Sequence, residues 1–305
     1  MTTRCGFAAV IGAPNAGKST LVNALVGSKV AIVSPKVQTT RMNVRGVAMR
    51  GETQIVFVDT PGIFKPRRRL DKAMVAAAWS GAGDADAVVH LVDAAEITEH
   101  PAGHAAADTD SIMHGLKLAG RKAALALNKI DAMRHEQLLP LARKFDTAGV
   151  YGQVFMISAL KGDGLESLAA WCEASMPEGP WLYPADQAAD IPSRLLAAEI
   201  TREKIYLRLH DELPYASAVE TEKWDERKDG SVRIDQIVYV QRDSQKPIVL
   251  GKGGATIKEI GAAARKELEE IFGRRVHLFL FVKVRQDWAD KREHYRDIGL
   301  EYPEE

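Results

Sequence analysis

The sequence has little cysteine, no excess of charge of either sign and no long apolar run. Its only two cysteines, Cys5 and Cys172, lie far apart and form no metal-spaced pair, which favours a reducing compartment. Lys plus Arg and Asp plus Glu number 41 each, so any nucleic-acid or membrane partner must be bound by a local patch. Because the sequence shows neither a signal peptide nor an apolar segment long enough to span a bilayer, we expect a cytoplasmic protein and leave peripheral membrane contact open.

The length of 305 residues predicts two domains. In the first part of the chain, short apolar runs alternate with segments of helical spacing, and the runs end at Ile11, Asp59, Asp93, Asn128 and Ser158. This alternation predicts an α/β domain over residues 1–176, with a mostly parallel sheet and helices on both faces. Ligands of such sheets bind beyond the carboxyl ends of the strands, so the polar residues that end the runs are candidates for a site.

Proline and glycine are frequent from residue 177 to residue 192, which predicts a linker before a second domain over residues 193–305. The second domain has the order helix, strand, strand, helix, helix, strand, with a hairpin signal at Asp229-Gly230. This order predicts an α+β domain. The absence of a second phosphate-binding motif from its sequence argues against a tandem nucleotide-binding protein.

The stretch Gly12–Thr20 matches the phosphate-binding pattern G-x-x-x-x-G-K-[ST]. It lies between an apolar run and a helical segment, which is the strand-loop-helix context that the motif requires. The glycines let backbone N–H groups point at phosphate, and the helix N-terminus adds positive potential. We expect Lys18 to reach the outer phosphates and Ser19 to bind Mg²⁺. The candidate residues are Gly12, Ala13, Pro14, Asn15, Ala16, Gly17, Lys18, Ser19 and Thr20.

Two further segments are candidates for binding the γ-phosphate and Mg²⁺. Asp59 ends an apolar run, where its carboxylate can hold Mg²⁺ through water, and the Gly62 N–H can reach the γ-phosphate. The other residues of this segment are Thr60, Pro61 and Ile63. A threonine between the first helix and the next strand is expected to close onto Mg²⁺ and the γ-phosphate. Thr40 is favoured, and Thr39 remains the alternative.

The segment Asn128-Lys129-Ile130-Asp131 is a candidate for recognising the base. Guanine presents two adjacent donors, N1–H and the 2-amino group, which match the acceptor-only carboxylate of Asp131. Adenine has no 2-amino group and would leave this carboxylate unpaired. Asn128 can brace the loop, and the stem of Lys129 can cover the base. The last apolar run ends at Ser158-Ala159, where backbone N–H groups can meet guanine O6.

These five segments, in their order and spacing, resemble the translation-factor-related class of small GTPases. With the second domain, the chain resembles bacterial GTPases that carry a C-terminal type II KH domain. The resemblance covers nearly the whole chain and implies a P-loop GTPase fold with GTP or GDP and Mg²⁺ as ligands. It implies a cytoplasmic monomer, with contact at the cytoplasmic face of the inner membrane left open. The expected catalytic residues are Lys18, Thr40, Gly62 and Asn15, and the expected metal-binding residues are Ser19, Thr40 and Asp59.

Ile63 stands where Ras-like proteins have a water-orienting glutamine, and its aliphatic side chain cannot orient water. GTPases of the resembled family also carry a hydrophobic residue there, so we expect slow intrinsic hydrolysis. Relatives with asparagine at the position of Asn15 use it to hold a potassium ion beside the β- and γ-phosphates, where a cation offsets charge. Two roles for Asn15 therefore stand side by side, as a K⁺ ligand and as a brace of the loop.

The segment Gly251-Lys252-Gly253-Gly254 has the G-x-x-G form, in which glycine permits close approach and the lysine offers charge to phosphate. Alone the pattern is usually a turn, and the acidic run 267–270 on the following helix is compatible with a solvated surface. The order of elements, however, resembles the type II KH domain, in which this loop clamps single-stranded nucleotides. The candidate RNA-binding residues are Ile248, Val249, Gly251, Lys252, Gly253, Gly254, Ile257 and Lys258.

The resembled family binds the single-stranded 3′ end of small-subunit (16S) ribosomal RNA and assists maturation of the 30S subunit. The resemblance implies the same partner and task for this chain. Two alternatives remain open. One is an RNA-binding protein whose nucleotide site is mainly structural, and the other is a membrane-associated signalling GTPase that is not dedicated to ribosome assembly.

Overall fold

The computed structural model describes residues 2–288 and 291–304, which fall into two compact units. The first unit contains the N-terminal residues to Ala31, residues Thr40–Asp190 and the C-terminal residues from Gly299. The second contains Ile32–Thr39 and Ile191–Ile298. Both units therefore draw on more than one stretch of sequence.

A seven-stranded sheet organises the first unit. Its strands are β1 (Arg4–Ile11), β2 (Val44–Arg50), β3 (Thr53–Asp59), β4 (Ala87–Asp93), β5 (Ala123–Asn128), β6 (Tyr151–Met156) and β7 (Ala189–Asp190). Their order across the sheet is β6-β5-β4-β1-β3-β2-β7. The strands β6, β5, β4, β1 and β3 run parallel, whereas β2 is antiparallel to both of its neighbours. The carboxyl ends of the parallel strands therefore meet at one edge, as the sequence predicted.

Helices cover both faces of this sheet. They are α1 (Lys18–Val26), α2 (Arg69–Asp84), α3 (Ala94–Glu99), α4 (His104–Leu118), α5 (Leu138–Asp146) and α6 (Leu165–Ser175). On one face Val10 packs with Val22 of α1 and Leu168 of α6. On the other face Ile11 packs with Ala78 of α2 and Ile112 of α4. Because helices cover both faces, the central parallel strands are mostly apolar, and the predicted fold class is confirmed.

The second unit combines a three-stranded sheet with helices. Its elements are α7 (Ser193–Arg208), β8 (Ser217–Glu226), β9 (Val232–Val240), α8 (Lys246–Leu250), α9 (Ala255–Phe272), β10 (Val276–Val284) and α10 (Arg292–Asp297). The strand order is β10-β9-β8, with β9 parallel to β10 and antiparallel to β8. Ile200 of α7 and Leu268 of α9 pack against Ile234 of β9 in the core. The predicted α+β order of elements is thus present.

The segment 177–192, predicted as a linker, is hydrogen-bonded to the first unit. The Gln54 side chain donates to the Tyr183 carbonyl (2.8 Å) and accepts from the Tyr183 N–H (3.0 Å). The end of the segment forms β7, which pairs with β2. Proline and glycine predict irregular backbone, but irregular backbone can still pack against a sheet edge, and composition does not reveal this.

Two other stretches lie outside the predicted domain boundaries. Residues 32–39 group with the second unit, because Ile32 packs with Ile200 and Val232 in its core. The C-terminal residues from Gly299 group with the first unit. Both attachments depend on contacts between residues that are far apart in sequence, which local patterns do not encode.

Candidate functional site

The predicted phosphate loop joins the end of β1 to the start of α1. Gly17 caps α1 with φ 99°, in the left-handed region that favours glycine. A Cβ at Gly17 would lie 2.5 Å from Asn128 Nδ2, and one at Gly12 would lie 2.3 Å from the Leu91 carbonyl oxygen. The glycines of the motif are therefore required both by backbone conformation and by the close approach of neighbouring strands. The helix N-terminus behind the loop is suited to an anion.

Lys18 is buried at the first position of α1. Its Nζ donates to the carbonyls of Gly12 (3.2 Å) and Ala13 (2.9 Å). Burial lowers the pKa of Lys18 to about 8, and the charge of Asp59 partly offsets this effect. A nucleotide phosphate at this loop would bring a further negative charge to this ammonium group.

Three predicted metal-binding side chains converge beside Lys18. Ser19 Oγ lies 2.7 Å from Asp59 Oδ2 and 2.9 Å from Thr40 Oγ1, and Thr40 Oγ1 lies 3.3 Å from Asp59 Oδ2. Asp59 is fully buried, and its Oδ1 has no hydrogen-bond partner among the residues that the structure describes. Such a set of hard oxygen atoms with one unsatisfied carboxylate oxygen fits Mg²⁺. Burial raises the pKa of the Asp59 carboxyl to about 6, against the lowering effects of Ser19, Lys18 and Thr40.

The two candidate threonines have different surroundings. The Thr39 hydroxyl donates to the Lys36 carbonyl (2.8 Å) and lies 3.2 Å from Ser34 Oγ, so it is bonded within its own loop. Thr40 instead contacts Ser19 and Asp59. The geometry thus favours Thr40 over Thr39 as the metal-binding threonine.

The segment after β3 packs directly against the phosphate loop. A Cβ at Gly62 would lie 3.0 Å from Pro14 N, and the Ile63 N–H donates to the Gly12 carbonyl (3.1 Å). The Ile63 side chain is 3% exposed and packs among Val88 and other residues of the core. It therefore belongs to the apolar interior. Thr60 and Pro61 are buried in the same segment, and the Thr60 hydroxyl donates to the Val10 carbonyl (2.8 Å).

The predicted base-recognition loop is braced as the sequence suggested. Asn128 Nδ2 donates to the Ala16 carbonyl (2.8 Å), and Asn128 Oδ1 accepts from the Ala159 N–H (2.9 Å). One side chain thus joins the phosphate loop to the Ser158-Ala159 segment. Ile130 and Asp131 lie in the short turn that follows. The Asp131 side chain is exposed and lines a cavity of about 380 Å³.

Asp93 is a site residue that sequence reasoning did not assign. It ends β4, its carboxylate accepts from the Glu96 N–H (3.1 Å), and it forms an ion pair with Lys129 Nζ (2.5 Å). This pair holds the lysine whose stem is expected to cover the base. Its position in the sequence could have indicated that Asp93 is a site residue, because it ends an apolar run at the same sheet edge as Asp59 and Asn128.

The glycine loop of the second unit connects α8 to α9. Gly251, Gly253 and Gly254 have φ of 72°, 61° and 78°, so three of its four residues adopt the left-handed region. A Cβ at Gly251 would lie 2.2 Å from Thr256 Oγ1, whereas a Cβ at Gly253 would have none of the described atoms within 4 Å apart from its chain neighbours. Lys252 is exposed. The loop thus presents an open backbone at Gly253 and an exposed cation at Lys252.

The other predicted RNA-binding residues are not equally accessible. Ile248 is 59% exposed, Lys258 is exposed and Ile257 is partly buried. Val249 is fully buried and packs with Ile260 in the core. The contact of Val249 with bases stays a prediction, and its side chain lies in the core of the second unit. Its side chain supports the loop from inside, because successive residues of a helix face different directions.

Two family models match the chain in separate regions. The model described as 50S ribosome-binding GTPase matches residues 7–129, and the model described as KH domain matches residues 212–289. The first match spans the phosphate loop and reaches Lys129. The second spans the glycine loop.

Curated relatives match along nearly the whole length. GTPase Era of Maricaulis maris is 60% identical, with 98% of each chain covered. GTPase Era of Caulobacter vibrioides is 61% identical, with 98% of this chain and 97% of the relative covered.

Two solved structures have the same fold over 97% of this chain, each with a TM-score of 0.89 and 38% identity. One is an Aquifex aeolicus Era variant bound to GDP·AlF4⁻. The other is Era in complex with MgGDPNP and nucleotides 1506–1542 of 16S ribosomal RNA. Each match covers 99% of the solved chain, so both units are represented.

Proposed function

The chain belongs to the Era family of GTPases, and from this premise we propose that it is a GTP-hydrolysing switch that binds the 3′ end of 16S ribosomal RNA and assists maturation of the 30S subunit. The observation that carries the proposal is the full-length similarity to Era solved with MgGDPNP and 16S RNA. One family model refers to the 50S subunit, but it matches only residues 7–129. The structure of Era with 16S RNA matches 97% of this chain, so we assign the small subunit.

The protein hydrolyses GTP to GDP and phosphate, and the residues described above supply the parts for this reaction. Lys18 and the backbone N–H groups of the phosphate loop bind the phosphates, and the Gly62 N–H is assigned to the γ-phosphate. Ser19 and Thr40 would hold Mg²⁺ directly, and Asp59 would hold it through water. When bound, Mg²⁺ neutralises phosphate charge during transfer. The carboxylate of Asp131 selects guanine.

Hydrolysis by these residues alone is expected to be slow. The side chain of Ile63 lies in the core, so it neither orients nor activates water. We assign Asn15, which is exposed and has φ 61°, as the ligand of a K⁺ ion beside the phosphates. A cation there would offset the charge that develops in the transition state.

The RNA-binding role is assigned to the glycine loop and its neighbours. The open backbone at Gly253 allows phosphates to approach, Lys252 and Lys258 supply charge, and Ile248 and Ile257 supply apolar contact for bases. The expected energetic signature is a dependence of RNA affinity on salt concentration.

A test of this function is crosslinking in cells followed by sequencing of the bound RNA, with and without a non-hydrolysable GTP analogue. We expect enrichment of the 3′ end of 16S RNA that changes with the nucleotide. Enrichment of unrelated RNA would contradict the ribosomal assignment. An equal yield in both nucleotide states would favour the alternative in which the nucleotide site is mainly structural.

We further propose a cytoplasmic monomer. Among the described helices none combines the length and the apolar character needed to cross a bilayer. Sedimentation equilibrium tests the oligomeric state, and flotation with anionic vesicles tests peripheral contact with the inner membrane. Co-flotation of a substantial fraction at physiological salt would favour the membrane-associated alternative.

A further inference from the structure

The segment that precedes Thr40 is built into the second unit. Residues Ile32–Thr39 cluster with that unit, and Thr40 follows directly in the first unit, beside Ser19 and Asp59. The Ile32 side chain is 3% exposed and packs in the core of the second unit. One end of the segment is therefore anchored in that core, and the other end continues into the nucleotide site.

One face of α7 holds the backbone of this segment. The Val33 N–H donates to the buried Glu203 carboxylate (2.8 Å). The Lys36 ammonium donates to the carbonyls of Tyr206 and Leu209, at the C-terminal end of the helix. A cation at this end also satisfies carbonyls that have no partner within the helix. The contacting residues of α7 and its C-terminal end, Glu203, Tyr206 and Leu209, are three residues apart and therefore lie near one face of the helix.

Arg202 makes the contact that lies nearest to the nucleotide site along the chain. Its side chain is 2% exposed, its Nη2 donates to the Thr39 carbonyl (2.5 Å), and its Nε donates to Glu199 (2.8 Å). A buried, charge-assisted hydrogen bond of this kind is stronger than one between neutral groups. The Thr39 carbonyl belongs to the planar peptide group that joins Thr39 to Thr40. Fixing this carbonyl therefore restricts where the Thr40 hydroxyl can lie.

We propose that Arg202 is a positioning residue for GTP hydrolysis, which acts on Thr40 through the Thr39–Thr40 peptide. In the same way, the segment 32–39 transmits the nucleotide state to α7. α7 packs in one core with α9, the helix that begins directly after the glycine loop. The inference rests on the proposed function and names the residues that connect its two activities. Because coupling is reciprocal, RNA that prefers one arrangement changes nucleotide affinity by the same factor.

The test compares four variants of the full-length protein. Arg202→Lys keeps the charge but loses the forked geometry, and Lys36→Met removes the contact to the end of α7. The matched control is Arg208→Met, because Arg208 lies on the same helix, is 52% exposed and pairs with Glu259. Lys36→Arg is the conservative variant that is expected to restore the contact. Circular dichroism establishes which variants fold, and Lys36→Met carries the test if Arg202→Lys does not.

Three quantities are measured for each variant: kcat and KM for GTP, the RNA dissociation constants with GDP and with a non-hydrolysable GTP analogue, and amide hydrogen exchange over residues 32–40. For Arg202→Lys we expect kcat to fall roughly tenfold with KM changed less than about twofold, because a charge-assisted bond to a positioning group is weakened. For Arg202→Lys and Lys36→Met we expect faster amide hydrogen exchange over residues 33–39. For the same two variants, the ratio of the RNA dissociation constants measured with GDP and with the GTP analogue should move towards one. Arg208→Met and Lys36→Arg should behave like the wild type.

The inference fails if Arg202→Lys and Lys36→Met keep wild-type kcat, exchange and RNA coupling. It also fails if Arg208→Met changes these quantities to the same extent, since the effect would then be a general one of α7. If the wild type binds RNA equally with both nucleotides, the proposed switch function is wrong. The kcat and exchange measurements still decide the role of Arg202 in that case.

Discussion

The two glycine loops of this molecule, to which we assign contact with phosphate, differ in the space around their glycines and in the exposure of their lysines. In the phosphate loop, Gly12 and Gly17 are surrounded, and a Cβ at either position would meet an atom at 2.5 Å or less. Lys18 is buried beside them. In the second loop, Gly251 is as closely surrounded, but a Cβ at Gly253 would meet none of the described atoms within 4 Å, and Lys252 is exposed.

This difference follows from the ligands. A nucleotide is small and can be enclosed, so a buried cation in a preformed loop binds it without competition from water. An RNA strand is long and must enter from the side, so its cradle stays open and its cation remains screened by salt. The closed loop is expected to lose much more affinity than the open loop when its lysine is removed.

The largest effect is expected for Lys18→Ala. Truncating one partner of a buried charge contact costs about 2–5 kcal/mol, so GTP affinity should fall by roughly thirtyfold or more. The matched variant Lys252→Ala should leave GTP affinity unchanged. Isothermal titration with GTP measures both, and similar GTP affinities for the two variants would contradict the assigned closed loop.

Asp131→Asn is expected to have the next largest effect. The amide presents a donor to the 2-amino group of guanine, so two donors face each other in the complex and binding weakens by about 1–3 kcal/mol. The same amide should accept xanthine, whose 2-carbonyl is an acceptor. Competition between GTP and XTP measures the change, and retained preference for GTP would remove Asp131 from base recognition.

The glycines themselves offer a third comparison. Gly17→Ala combines a left-handed backbone with a contact 2.5 Å from Asn128, whereas Gly253→Ala has only the backbone strain, of about 1 kcal/mol. We expect a lower free energy of unfolding for Gly17→Ala than for Gly253→Ala. Urea denaturation measures both, and equal destabilisation would show that packing at Gly17 relaxes without cost.

Lys252→Glu tests how much the charge of Lys252 in the second loop contributes to RNA binding. We expect RNA affinity to fall roughly tenfold at moderate salt and the slope of log affinity against log salt to fall by about 1. Lys266→Glu is the control, because Lys266 is exposed on α9 about 20 Å along the chain from Lys252 by helical rise. Fluorescence anisotropy at several salt concentrations measures the slopes, and equal slopes for both variants would argue against a specific role of the loop.

The smallest effect is expected for the exchange of potassium for sodium. If Asn15 holds K⁺, GTP hydrolysis should be a few times faster in KCl than in NaCl at the same ionic strength. In Asn15→Ala the two rates should be equal. Equal rates in the wild type would leave Asn15 as a brace of the loop.

Much of the nucleotide site could be predicted because it is encoded locally. Asp59 and Asn128 end strands, and Ser19 lies in the helix that follows β1 and the phosphate loop. A parallel sheet brings these strand ends together. The sequence favoured Thr40 over Thr39 as the threonine that binds Mg²⁺. In the structure, the Thr40 hydroxyl lies beside Ser19 and Asp59.

The parts that could not be predicted depend on tertiary contacts. The attachment of residues 32–39 to α7 requires Arg202 and Glu203, which lie more than 160 residues further along the chain. Likewise, Val249 and Ile248 are adjacent apolar residues, and only the orientation of α8 decides that one is buried and the other exposed.

The short strand β7 has a consequence for the behaviour of the protein in solution. Without it, β2 would present a free edge of unpaired backbone groups, and such edges pair readily with other chains. The pairing of Ala189 and Asp190 with β2, extended by the hydrogen bond from the Val47 N–H to the Ala188 carbonyl (2.8 Å), covers part of this edge. Residues 188–190 therefore leave less of this edge free to pair with another chain.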